Sequence, residues 1–201
     1  MIALDSNGMC VHPRILNARR PTIERAAMTA VSGIIVHQTG GATAQSSLSS
    51  YLQASANGAH FLIDRDGTIY QTASLHRQTW HVGKLKSRCL LEKRCTPTEL
   101  KSLSKFNPRA EDKHERTKKA PDRFPSNEDS IGIELVGEPL PRGTSVREDQ
   151  KKYEAVSAAQ NASLKWLVQE LTTTLKVPLR EVFRHPEVSR KNPTEALSAQ
   201  W

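Results

Sequence analysis

The sequence predicts a single α/β domain, a mixed β-sheet flanked by helices. Three observations carry that prediction: short apolar runs bounded by turn residues, a long stretch of helical period before the last of them, and a length of 201 residues, enough for one sizeable core. The first strand is Gly33-Ile34-Ile35-Val36-His37, a nearly unbroken apolar run of the kind covered on both faces. His60 to Asp64 and Thr68 to Thr72 flank Arg65-Asp66-Gly67 and read as a hairpin with a glycine-containing turn. Ser130 to Val136 is another buried strand, and Glu181 to Arg184 a shorter one.

Helical signals lie between the strands. Leu48, Tyr51 and Leu52 suggest a short helix from Ala44 to Ala56. Ser157-Ala158-Ala159-Gln160 has the form of a capping box, in which the serine and glutamine side chains satisfy free amides at a helix start. Leu164, Leu167, Val168, Leu171 and Leu175 then form one apolar face, and Lys176-Val177-Pro178 ends the helix because proline cannot continue it. Residues 1–30 read as an N-terminal extension of the domain. Residues 85–125 do not fit the alternation; four prolines, polarity and mixed charge predict a basic insertion with one or two small helices.

Composition narrows the function classes. The mean hydropathy is −0.55, and no apolar run approaches the roughly 20 residues of a membrane span, so none is expected. Met1 to Pro13 lacks a basic start followed by an apolar stretch, so no ordinary secretory signal is expected. The net charge of +8 is uneven: Leu85 to Arg123 holds 12 Lys or Arg against 6 Asp or Glu. Such a segment is either a solvated face or a surface for an anionic cell wall or acidic partner. It has few aromatics to stack on bases, so nucleic acid is not expected as a partner. Cys10 stands alone, whereas Cys89 and Cys95 form either a local disulfide or two free thiols; the spacing fits no cysteine zinc cluster.

Seven histidines are present, and position separates them. His37 ends a buried strand and His185 follows another. Sites in open α/β sheets assemble at strand ends, and imidazole is the commonest metal ligand. Two such histidines point to a metal. Glu134 lies inside an apolar strand, where a carboxylate must be paired or have a raised pKa. It is either a general base or half of an ion pair.

Five stretches, taken in order, carry a resemblance. They are Ile34 to Thr39, Ala59 to Gln71, Trp80-His81-Val82-Gly83, Ser130 to Gly137, and Arg184-His185 after the long helix. The chain resembles the zinc amidases that include anhydromuropeptide amidases, phage lysozyme-amidases and animal peptidoglycan recognition proteins. The resemblance implies hydrolysis of the bond between N-acetylmuramic acid and L-alanine, with peptidoglycan or muropeptides as partner and Zn2+ as cofactor. It implies His37 and His185 as zinc ligands, Glu134 as general base, and Lys191 as the cation beside the developing oxyanion. It implies that His60 and His81 line or support the substrate cleft. Phage and animal members use a tyrosine before the hairpin histidine; here that position is Ala59.

One departure concerns the third ligand. The family closes its site with Asp or Cys before a proline, whereas this chain reads Arg190-Lys191-Asn192-Pro193-Thr194-Glu195. A neutral amide is a poor zinc ligand and a carboxylate an established one, so Glu195 is expected to serve rather than Asn192. Receptors of the family that lost this ligand bind without cutting, which makes a non-catalytic peptidoglycan-binding module the alternative. For delivery, the expectation is action in the periplasm after signal-less specialised export, as an antibacterial toxin with an immunity protein as partner; the alternative is a cytoplasmic recycling enzyme.

Overall fold

The computed structural model describes residues 1–143 and 145–201. Six strands form one mixed sheet: β1 (Ile15–Asn17), β2 (Gly33–Gln38), β3 (Phe61–Ile63), β4 (Ile69–Gln71), β5 (Ser130–Leu135) and β6 (Val182–Arg184). Their order is β6-β2-β5-β3-β4-β1. β6, β2, β5 and β3 run parallel, β4 pairs antiparallel to β3 as a hairpin, and β1 lies parallel to β4. The hairpin turns at Gly67, whose φ of 88° suits a residue without a Cβ.

Side chains alternate across a strand, so the sheet has two distinct faces. On one, Ile34 and Val36 of β2, Ile131, Ile133 and Leu135 of β5, and Phe61 and Ile63 of β3 join the main core. Helix α5 (Ala158–Leu175) covers this face with Leu164, Leu167, Val168 and Leu171. Its capping box forms as the sequence predicts, and Gln160 Nε2 also donates to Val136 O at 2.9 Å, which fixes the helix start on the sheet. The helix ends at Lys176 in the left-handed conformation. On the opposite face Ile35 packs with Val82, Leu85, Phe124 and Val188.

Two expectations are corrected. The first helix, α1 (Ala44–Ser50), stops well before Ala56, and Leu52 is 60 % exposed. Ser50 Oγ bonds back to Ser47 O, the local competition by which serine ends helices. The insertion carries three helices rather than one or two: α2 (Arg88–Leu91), α3 (Pro97–Ser102) and α4 (Pro108–Glu115), the last two started by proline and capped by Thr96 and Asn107. The insertion is also packed onto the domain. Leu85 and Phe124 are buried against the sheet, and Cys89 is bonded to Cys95. Ion pairs then dock it, Arg88 to Glu181 at 2.8 and 3.0 Å and Arg123 to Asp129 at 3.0 Å, while Lys118 ties its own helices together through Glu99 and Glu115 at 2.8 Å.

The first thirty residues contribute more than a tail. They supply β1, place Ile2, Ile15 and Met28 in the main core, and pair Glu24–Ala27 with Arg77–Thr79. Among the described residues no helix is long and apolar enough to cross a membrane.

Candidate metal centre and cleft

The parallel pairing assembles the site. His37 on β2 lies directly opposite Glu134 on β5, and β6 beside β2 delivers His185 as the first residue of helix α6 (His185–Val188). All three therefore meet at the carboxyl ends of adjacent strands, where sites collect in such sheets. Paired residues share a face, so His37 and Glu134 both point away from α5. Residues 192–199 then fold back over β6: Arg184 donates to Ala196 O and Ala199 O, and Gln38 Oε1 accepts from Ala196 N at 2.8 Å. That return brings Glu195 against the histidines.

His37, His185 and Glu195 each offer one ligand atom, all within 4.8 Å of one another, and all three residues are buried. Glu195 Oε1 lies 2.9 Å from His185 Nδ1 and 3.6 Å from His37 Nδ1. Asn192 does not compete for this place. Its Nδ2 donates to Lys151 O at 2.8 Å and its Oδ1 accepts from Thr194 N and Oγ1, so it braces the loop that presents Glu195.

The donor set fits a metal ion. His185 Nε2 sits 2.8 Å from Val82 O, and a carbonyl only accepts, so Nε2 carries a proton. A ring nitrogen held that way presents its other nitrogen as a ligand, the arrangement typical of metal-binding histidine. Glu195 is anionic: burial pushes its carboxyl up, but the hydrogen bond to His185 and attraction to both histidines outweigh this and bring it down to about 2. An anionic carboxylate between two imidazoles leaves a buried negative charge that a cation neutralises. For His37, burial and the neighbouring His185 lower the pKa to about 4, which favours the neutral form that binds metal.

Glu134 faces the same space. Its Oε2 is buried with no hydrogen-bond partner. Burial raises its pKa to about 8, repulsion from Glu195 adds to the rise, and Lys191 opposes it. The ion pair offered as its structural role is absent among the described residues. These groups open on a cleft of about 1040 Å³ whose walls include Trp80, Lys86, Asn127, Arg190 and Lys191.

The other expected site residues divide. His81 lines the cleft, with Nδ1 2.9 Å from His37 Nε2. His60 does not, and its expected place as a substrate contact is corrected: it is fully buried. Its Nε2 lies 2.9 Å from Arg77 O, and its Nδ1 accepts from Gly132 N at 3.1 Å, so it supports β5 from behind. Asn127 and Ser130 belong to the site's surroundings and were not singled out from the sequence, and Lys86 stood out only as one of the insertion's cations. The one available signal was Gly132, since glycine inside a strand marks a close approach; a Cβ there would lie 2.8 Å from His81 Nδ1.

Comparison with known proteins agrees with this layout. The family model for N-acetylmuramoyl-L-alanine amidase matches residues 27–195. A search of curated protein sequences gives no match. Solved structures share the fold. A selenomethionine derivative of AmpD is 19 % identical, with TM-score 0.54, over 96 % of this chain and 91 % of that one. PlyL is 15 % identical, with TM-score 0.53, over 88 % and 84 %. The catalytic domain of XlyA is 20 % identical, with TM-score 0.51, over 88 % and 87 %. The match spans the strands that carry His37, Glu134 and His185 and runs to Glu195, and the chain belongs to the N-acetylmuramoyl-L-alanine amidase family of peptidoglycan hydrolases.

Proposed function

We propose that this chain is a zinc-dependent enzyme that hydrolyses the amide joining N-acetylmuramic acid to L-alanine. The observation that carries the reading is the convergence of His37, His185 and Glu195 beside the unpartnered buried oxygen of Glu134. His37 Nδ1, His185 Nδ1 and a Glu195 oxygen would hold the ion. Zinc, when bound, supplies Lewis acidity toward water and the scissile carbonyl.

The protein's own groups do the rest. Glu134 takes a proton from the attacking water as the C–O bond forms and gives it to the amide nitrogen as the C–N bond breaks. A carboxyl poised near neutrality suits both transfers better than an ordinary one. A cation bound beside Glu195 favours its ionised form, the one that accepts the proton. Lys191, on the cleft wall, places an ammonium near the oxygen that becomes negative. Burying Glu134 without a partner is costly, and a module that only binds has no use for it; this favours hydrolysis over the binding-only alternative. The Cys89–Cys95 bond supports action in an oxidising compartment such as the periplasm.

The test is digestion of purified sacculi with mass spectrometry of the released ends and metal analysis of the protein. Free muramic-acid carboxyls and L-alanine amines are expected, with one zinc per chain. Glu134→Gln should fold and keep zinc while losing about 10²–10⁴-fold in turnover. Glu195→Ala should lose zinc and activity, and Asn192→Ala far less of either. An active parent without metal, or a Glu134→Gln variant at the parental rate, overturns the reading.

A further inference from the structure

We propose that His81 is a positioning residue that fixes a ring proton of His37 on Nε2, so that Nδ1 is the nitrogen turned toward Glu195. The inference rests on the zinc reading only for the identity of the ion. Its argument begins at a backbone carbonyl. Ser130 Oγ bonds to Ser126 O; since a carbonyl only accepts, the serine's single proton is used there. The same oxygen lies 3.2 Å from His81 Nε2 and has only a lone pair left to offer, so His81 Nε2 carries a proton. Among the described residues His81 has no carboxylate partner to hold a second proton. Its Nδ1 is therefore bare and accepts from His37 Nε2 at 2.9 Å. His37 in turn has its proton on Nε2, which leaves Nδ1, 3.6 Å from Glu195 Oε1, as the nitrogen that faces the ion's place.

Started from Ser126 O, the chain of bonds runs in one direction. Reversing it would set a bare His81 Nε2 against the serine lone pair in a buried place. The fold also holds each member still. Asn127 Oδ1 accepts the backbone amides of both His81 and Val82, at 2.9 and 2.8 Å. Asp129 accepts from Ser126 N and Oγ at 2.8 and 2.9 Å and is clamped by both ends of the Arg123 guanidinium. Gly132 leaves the room that the His81 ring occupies. Val82, next to His81, accepts from His185 Nε2. One short segment thus orients both histidines, His37 through a side chain and His185 through the backbone.

The experiment uses the full chain, stripped of metal and labelled on histidine nitrogen. Long-range proton–nitrogen spectra should show His37 as a single tautomer protonated at Nε2. His81→Leu should give mixed His37 tautomers and about 10–100-fold weaker zinc binding by chelator competition. His81→Asn, whose amide oxygen can stand near the position of Nδ1, should restore both. Ser130→Ala should act in the same direction as His81→Leu, and it decides alone if the leucine variant does not fold. A folded His81→Leu, or in its place Ser130→Ala, with the parental tautomer and affinity overturns the proposal, as does a parent whose His37 carries its proton on Nδ1. An ordered Nε2 tautomer in a parent that binds no zinc overturns the amidase reading and upholds the role of His81.

Discussion

Where α5 lies on the sheet, Ile34, Val36, Ile133 and Phe61 meet Leu164, Leu167 and Leu171 in a contact made of hydrocarbon. The opposite face meets a different kind of surface. A smaller apolar group around Ile35 and Leu85 is ringed by Arg88–Glu181, Arg123–Asp129 and Arg190–Glu111, and its remaining area holds His37, His81 and Glu134. Apolar packing is non-directional and tolerates exchange of partners, whereas each ion pair requires one particular residue at one distance. The first face sets the fold; the second sets the positions of reactive groups.

Substitutions on the two faces should separate these roles. Phe61→Ala on the α5 side should show the largest loss of stability, about 3–5 kcal/mol in denaturant unfolding, because it opens a cavity in the main core. That loss should be insensitive to salt. Glu181→Gln on the other side leaves a buried Arg88 guanidinium with Glu92 as its remaining carboxylate partner among the described residues, and about 3 kcal/mol is expected. It should also weaken zinc binding, since Glu181 immediately precedes the strand that delivers His185. If the two variants lose stability equally and Glu181→Gln keeps full zinc affinity, the distinction between the faces fails.

The smallest effect belongs to the exposed cations. Arg88, Arg94 and Lys118 are held by carboxylates within the protein, which leaves Lys93 and Lys119 among the outward charges of the insertion. Replacing both with glutamine should change stability by no more than about 0.5 kcal/mol. If the insertion touches the cell wall, sacculus binding should fall and the difference from the parent should vanish at high salt. Binding equal to the parent at low salt assigns the insertion to bracing alone.

The two faces were also unequally legible in the sequence. β2 could be read from its unbroken apolar run, and α5 from its period and capping box, because those signals are local. His37, His185 and Glu134 stood out by chemistry at strand ends. Their mutual positions could not, because the pairing of β2 with both β5 and β6 is set by the whole sheet. The insertion was read as a basic excursion since its net charge is visible and its partners are not: Arg88 finds Glu181 far along the chain. His60 and His81 look equivalent in the sequence, each just before an apolar or small residue. Only the structure shows that His60 is enclosed by Arg77 O and Gly132 N, while His81 turns toward His37.

The placement of β2 has a kinetic consequence. Both of its neighbours come from distant parts of the chain, so each parallel pairing closes a loop of roughly a hundred residues or more before any contact is gained. Such contacts form late, whereas α5 and the β3–β4 hairpin need only neighbours in sequence. A refolding chain therefore acquires its helix before it acquires a metal centre, and the ligand set is complete only when β6 has docked and the loop carrying Glu195 has closed behind it. On the proposed zinc reading, metal uptake then marks the end of folding, and partly folded chains hold no complete ligand set.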